Sequence, residues 1–142
     1  MLKGIPKIIS PALLKILDEM GHGDEIVIAD LNFPSENYGK RVIRAEAAGG
    51  EEMLRAVMDL IPLDDYVDDN FVFIETPPSY TEEPPIWASY RQIANERDKN
   101  VSEKQIDRLD FYERTKSAYA VIATGEEALY ACVILKKGVF RT

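Results

Sequence analysis

Met20-Gly21-His22-Gly23-Asp24-Glu25-Ile26-Val27-Ile28-Ala29-Asp30 is the stretch that decides the fold. Ile26 to Ala29 is a short apolar run rich in β-branched residues, the pattern of a strand buried on both faces, and such strands belong to sheets covered by helices. The segment before it, Ser10 to Met20, reads as a helix, with Ser10 as N-cap, Pro11 at the first helical position and Leu13, Leu14 and Leu17 on one face. Gly21 ends it. The turn that follows holds His22, the single histidine of 142 residues, between two glycines, and Asp30 stands where the strand finishes. The two residues therefore bracket one strand. A strand keeps its ends apart, so a pocket that uses both needs a third element, a folded-back loop or a neighbouring subunit.

Outward from this unit, strand and helix signals alternate. Asn32 to Gly39 is a loop of turn formers; Val42 to Glu46 is a strand; Glu51 to Ile61 is a helix with Leu54, Val57, Met58 and Ile61 inward, stopped by Pro62. Residues 63–69 hold four aspartates but lack the glycine and terminal glutamate of a calcium loop, and they read as a solvated loop with no metal. Phe71 to Glu75 is a strand, and residues 76–85 contain four prolines, which makes them a stiff loop. Ile86 to Asp98 reads as a helix with Ile86, Tyr90, Ile93 and Trp87 inward, the tryptophan as packing in preference to the alternative of stacking on a sugar. Lys104 to Leu109 reads as a strand, Asp110 to Ser117 as a short helix capped by Asp110 or a nearby polar group, and Tyr119 to Ala123 and Leu129 to Leu135 as two more strands. The fold expected is a single-domain, three-layer α/β sheet over residues 1–142, helices on both faces, mostly parallel with an antiparallel pair at the C-terminal edge.

Composition narrows the function. At 46% hydrophobic the chain buries one core, and no linker or charge run divides it. A net charge of −8 disfavours nucleic acid, whose phosphates are bound by Lys and Arg. One cysteine makes no intrachain disulfide, and neither a signal peptide nor a membrane-length apolar run is present, so a reducing, cytoplasmic setting is expected.

Several blocks in order resemble the fucose mutarotase and ribose pyranase family of small sugar-ring isomerases. They are Met1-Leu2-Lys3-Gly4-Ile5, Leu13 to Asp30, Phe33-Pro34, Val42-Ile43-Arg44-Ala45, Phe111-Tyr112-Glu113-Arg114, Thr124-Gly125-Glu126 and Tyr130 to Val139, which together span nearly the whole chain. Arg108 followed by Phe111-Tyr112-Glu113-Arg114 is similar to the fucose branch, whereas Tyr130-Ala131 leans toward the ribose pattern. One position departs from both, since Cys132 stands where the family usually has asparagine.

The resemblance implies interconversion of the α and β anomers of L-fucose. Opening a hemiacetal requires a proton delivered to the ring oxygen and one removed from the anomeric hydroxyl, with no metal or organic cofactor. A histidine exchanges protons near neutrality, so the resemblance gives His22 that role, makes Asp30 and Arg108 sugar contacts, and places Tyr130 and Cys132 as the far wall. It also implies a ring-like homo-oligomer with sites at subunit interfaces, to which the apolar strand Leu129 to Leu135, in need of cover on both faces, lends support. Read alone, Asp30 is a loop cap, Arg108 a surface ion pair, Tyr130 a half-buried strand aromatic and Cys132 a core thiol; only the set points to a site. Three other readings remain: a ribose pyranase-type exchange of pyranose and furanose, a monosaccharide-binding transport accessory without turnover, and a metal-dependent hydrolase or isomerase short of nitrogen and sulfur ligands.

Overall fold

The computed structural model describes residues 1–142 and places one six-stranded sheet at their centre. In chain order the elements are α1 (Pro11–Glu19), β1 (Glu25–Ala29), α2 (Ser35–Tyr38), β2 (Val42–Ala45), α3 (Gly50–Met58), β3 (Phe71–Ile74), α4 (Pro85–Arg97), β4 (Glu103–Ile106), α5 (Arg108–Ser117), β5 (Ala120–Thr124) and β6 (Val133–Lys136). The strand order is β2-β5-β1-β6-β3-β4. Five strands run parallel, and β6 alone runs antiparallel to both of its neighbours.

Local chemistry sets the first unit as its sequence suggests. The Ser10 hydroxyl accepts the Leu13 N–H at 3.2 Å, with Pro11 opening α1. At the other end the Lys137 ammonium donates to the carbonyls of Leu17 at 2.7 Å and Met20 at 2.5 Å, placing a cation where the helix dipole is negative. Gly23, at φ +87°, takes a left-handed turn that few other residues adopt, and its N–H donates to the Lys137 carbonyl at 2.8 Å.

Both faces of the sheet are covered. Leu13 and Leu17 of α1, Met53 and Leu54 of α3, and Trp87 and Tyr90 of α4 pack with Ile26, Ile28, Phe73 and Ile122 in the larger core. On the opposite face Phe111 of α5 packs with Val27, Val72, Val121 and Ile134, and α2 joins α5 through Tyr38 and Tyr112, whose ring centroids lie 4.9 Å apart.

Several local expectations are displaced. β6 lies in the middle of the sheet rather than in an edge pair, and Val133, Ile134 and Leu135 are buried because the chain's own layers cover them. Their apolar character therefore lends nothing to a subunit interface. The strand is also shorter than its apolar run, since Tyr130 takes φ 59° and breaks extended geometry before Val133. α5 begins at Arg108, earlier than expected, and of the two capping alternatives it is the nearby polar group, Asp107, whose carboxylate accepts the Leu109 N–H at 3.0 Å, while Asp110 sits in the first turn. The Asn32 to Gly39 loop contains the short helix α2. In the 63–69 loop Leu63 and Asp64 are buried, contrary to a wholly solvated segment.

Candidate active site

Parallel strands bring their carboxyl ends to one side of the sheet, where ligands of open α/β sheets bind. Asp30 follows β1, Glu75 to Pro78 follow β3, and Asp107 and Arg108 follow β4. Because β6 runs the other way, Tyr130 to Cys132, which precede it, arrive at the same side. These segments sit on β1, β6, β3 and β4, four consecutive neighbours, so Asp30 and Arg108 are roughly three strand spacings, about 14 Å, apart. A cleft of about 320 Å³ opens there, lined by Thr76, Pro77, Asp107, Arg108 and Tyr130 among others.

Each side chain is held by its surroundings. The Asp30 carboxylate accepts the Asn32 N–H at 3.0 Å, and the Asp30 N–H donates to the Cys132 sulfur at 3.3 Å. Burial raises the carboxyl's pKa above the ordinary aspartate value, although the Asn32 N–H pulls the other way. Arg108 is exposed, its guanidinium 5.7 Å from the centre of the Tyr112 ring. Tyr130 is half-buried in a left-handed backbone conformation that costs an aromatic residue about 1–3 kcal/mol. Its carbonyl accepts the Trp87 indole N–H at 2.8 Å, and the Ala131 carbonyl accepts the Tyr90 hydroxyl at 2.9 Å. Trp87 is thus buried as packing and pins this turn.

Cys132 is only 2% exposed and packs in the core with Val27, Val72 and Ile134. Burial pushes its thiol well above its usual pKa. What the side chain gives the cleft is the hydrogen bond that places Asp30.

His22 lies at the opposite side of the sheet, at the amino end of β1. Five strand residues, roughly 16 Å, separate the two ends of β1. One chain therefore does not bring His22 to Asp30, Arg108 or Tyr130. At its own end the ring Nε2 sits 3.0 Å from the Asp64 carboxylate, with 48% of the His22 side chain exposed and 4% of Asp64. The Tyr66 ring, centroid 5.3 Å away, lies beside it. Burial acts to raise the Asp64 pKa, but the Tyr66 N–H and His22 outweigh it and the net shift is downward. Asp64 is held in turn by Asn70, whose amide donates to its carbonyl at 2.9 Å. The sequence shows four aspartates in this loop but no sign of which one meets the histidine, because that choice depends on a contact 42 residues away.

The model of the RbsD / FucU transport protein family matches residues 3–140. The fucose mutarotase of Homo sapiens is 46% identical over 97% of this chain and 94% of its own. The L-fucose mutarotase of Actinobacillus pleuropneumoniae is 42% identical over 98% and 97%. Among solved structures, a fucose mutarotase from Streptococcus pneumoniae in complex with L-fucose superposes with a TM-score of 0.93, at 48% identity over 99% of this chain and 100% of that one.

Proposed function

From the premise that the chain belongs to the RbsD / FucU family, we propose that it is a fucose mutarotase that interconverts the anomers of L-fucose. The observation that carries this reading is the near-complete superposition on a relative solved with L-fucose. The carboxyl-end side of the sheet suits such a ligand: in the cleft Arg108 offers charge-assisted hydrogen bonds to hydroxyls and the Tyr130 ring a face to the apolar side of a sugar, and Asp30, at the same end of the sheet, offers a carboxylate beyond it.

His22 is the proton carrier of this reading. Its half-exposed ring can give a proton to the ring oxygen, take one from the anomeric hydroxyl, and reverse both steps on closure. Asp64 orients the imidazole through the 3.0 Å contact. No part of this sequence of steps calls for a metal or a redox group.

Since one chain separates His22 from the cleft, the reading includes a homo-oligomer in which the amino end of one copy closes the carboxyl-end cleft of the next. Repeated head to tail, such a contact closes into a ring. A cytoplasmic setting goes with it, and no helix is long and apolar enough to cross a membrane.

Exchange NMR of L-fucose tests the proposal. Magnetisation transfer between the α and β anomeric signals, above the buffer rate and without added metal or nucleotide, is the expected result. Saturable binding with no added exchange would replace the enzyme by a sugar-binding module.

A further inference from the structure

We propose that Tyr80 is a positioning residue for the sugar cleft, holding the Tyr130 ring in place from the side away from Arg108. The proposal rests on the monosaccharide reading of that cleft. The two rings meet edge to face, centroids 5.1 Å apart and planes at 74°. Tyr130 lines the cleft that holds Arg108, whereas Tyr80 lines a second, of about 470 Å³, with Ser89 and Glu126. The ring pair is the wall between them.

Tyr130 needs such support. Its backbone sits in the left-handed region, with its own carbonyl tied to Trp87 and the next to Tyr90, so α4 holds the main chain from within the core. Neither contact fixes the ring, and Tyr80 supplies what they leave out.

Tyr80 is in turn anchored despite its place on a proline loop. Its N–H donates to the Pro77 carbonyl at 3.0 Å, and the Glu75 N–H donates to the Ile106 carbonyl at 2.8 Å at the start of the loop. Near the other end Glu83 pairs with Arg91, which also grips Glu103 of β4 through two hydrogen bonds of 2.6 and 2.9 Å. With Pro77, Pro78, Pro84 and Pro85 restricting the backbone, the loop presents Tyr80 as a fixed surface. The ring contact of Tyr80 is with Tyr130, a wall of the cleft and not the proton carrier, so its effect falls on affinity and not on proton transfer.

The experiment compares Tyr80→Ala, Tyr80→Leu and Tyr80→Phe with the unaltered protein. It uses fucose exchange rates over a range of sugar concentrations and the indole N–H signal of Trp87, the one tryptophan in the chain. Tyr80→Ala and Tyr80→Leu are expected to raise KM about two- to tenfold, the range an edge-to-face pair corresponds to, with kcat unchanged and the indole signal moved. Tyr80→Phe keeps the ring and should match the unaltered protein in both. Because Tyr80 is 40% exposed, circular dichroism should show all three folded, and Tyr80→Leu serves if Tyr80→Ala is not. An unchanged KM and indole signal, a loss of kcat at constant KM, or a Tyr80→Phe that behaves like Tyr80→Ala would each overturn the proposal. Absence of exchange in the unaltered protein overturns the mutarotase reading instead, and the indole signal then decides alone whether Tyr80 positions Tyr130.

Discussion

The imidazole of His22 and the carboxylate of Asp64 meet at 3.0 Å although 42 residues separate them, one half open to solvent and the other buried. A buried carboxylate with a half-exposed histidine as partner orients the ring while leaving it reachable. The loop that carries Asp64 is itself fixed, through the Tyr66 N–H and the Asn70 amide, so in the proposed reading it belongs to the proton-transfer site.

His22→Ala should lower kcat by about 10² to 10⁴, the range of a general acid–base group, while the protein stays folded with a lower melting temperature, because the buried Asp64 carboxylate loses a partner. Asp64→Asn should lower kcat less. It also carries a stability signature. The Asp64 pKa lies below the ordinary aspartate value of 3.8, so its stabilisation is fully present above that value and fades as pH falls through the lower, folded-state pKa. Acid unfolding followed by circular dichroism should accordingly show a smaller loss below pH 3.8 in Asp64→Asn than in the unaltered protein.

Separation of His22 from the cleft predicts complementation between copies. His22→Ala and Arg108→Ala should each be inactive alone, and mixing them after dissociation and reassembly should restore about a quarter of the sites by random assortment in a head-to-tail ring. Light scattering that finds a fully active monomer, or mixtures that stay inactive, would show that each chain completes its own site.

Much of this was legible in the chain because it is written locally. The Ser10 cap, the apolar runs of β1 and β3, and the proline loop fix their own structure, and each stands where its residues suggest. What was not legible depends on distant partners. The placement of β6 between β1 and β3 follows from which strands its two sides meet, and an apolar run of that kind is silent on neighbours. The left-handed turn at Tyr130 is imposed by Trp87 and Tyr90 from α4, and nothing in Leu129-Tyr130-Ala131 signals it. Cys132 read alone is a core thiol, and the packing agrees; only the family resemblance makes it a wall of the pocket, and its hydrogen bond from Asp30 is visible in the fold alone.

Asp30 predicts an acid limb in sugar affinity. Burial raises its pKa, so the carboxylate to which the proposed reading gives the sugar hydroxyls is lost at a higher pH than an exposed aspartate would be. KM should rise as pH falls, beginning above the ordinary value of 3.8, and Asp30→Asn should remove that limb. The sign for stability is opposite to that of Asp64: the ionised form is disfavoured by folding, so its cost is present above the raised pKa and is relieved as pH falls through it. Asp30→Asn should therefore be at least as stable as the unaltered protein at neutral pH, measured by its melting temperature.

Gly50 predicts a packing failure away from the cleft. A Cβ built there lies 1.8 Å from the Tyr90 hydroxyl, the group that supports Ala131. Gly50→Ala should destabilise the protein by about 1–3 kcal/mol through overpacking and raise KM by loosening the Tyr130 turn. Denaturant unfolding checks the first effect. Tyr90→Phe in the same background separates the two, since it removes the hydroxyl that clashes but also the hydrogen bond to Ala131.

The substitution that separates a pocket wall from a hidden support is at Cys132. Its sulfur accepts the Asp30 N–H from within the core, so in the proposed reading the side chain acts on the sugar only through Asp30. Cys132→Ala removes the acceptor, leaving that N–H unpaired at a cost of about 1–3 kcal/mol and freeing Asp30 to move, which should weaken the binding of every sugar. Cys132→Asn supplies an amide oxygen, a better acceptor than sulfur, and should keep the fold and tighten the hold on Asp30. The affinities for fucose, ribose and fully hydroxylated sugars should then shift together, because all of them meet the same carboxylate. A change confined to one sugar would mean that the side chain touches the ligand itself. Dissociation constants for the three proteins on one sugar panel, taken with their unfolding midpoints, decide between the two.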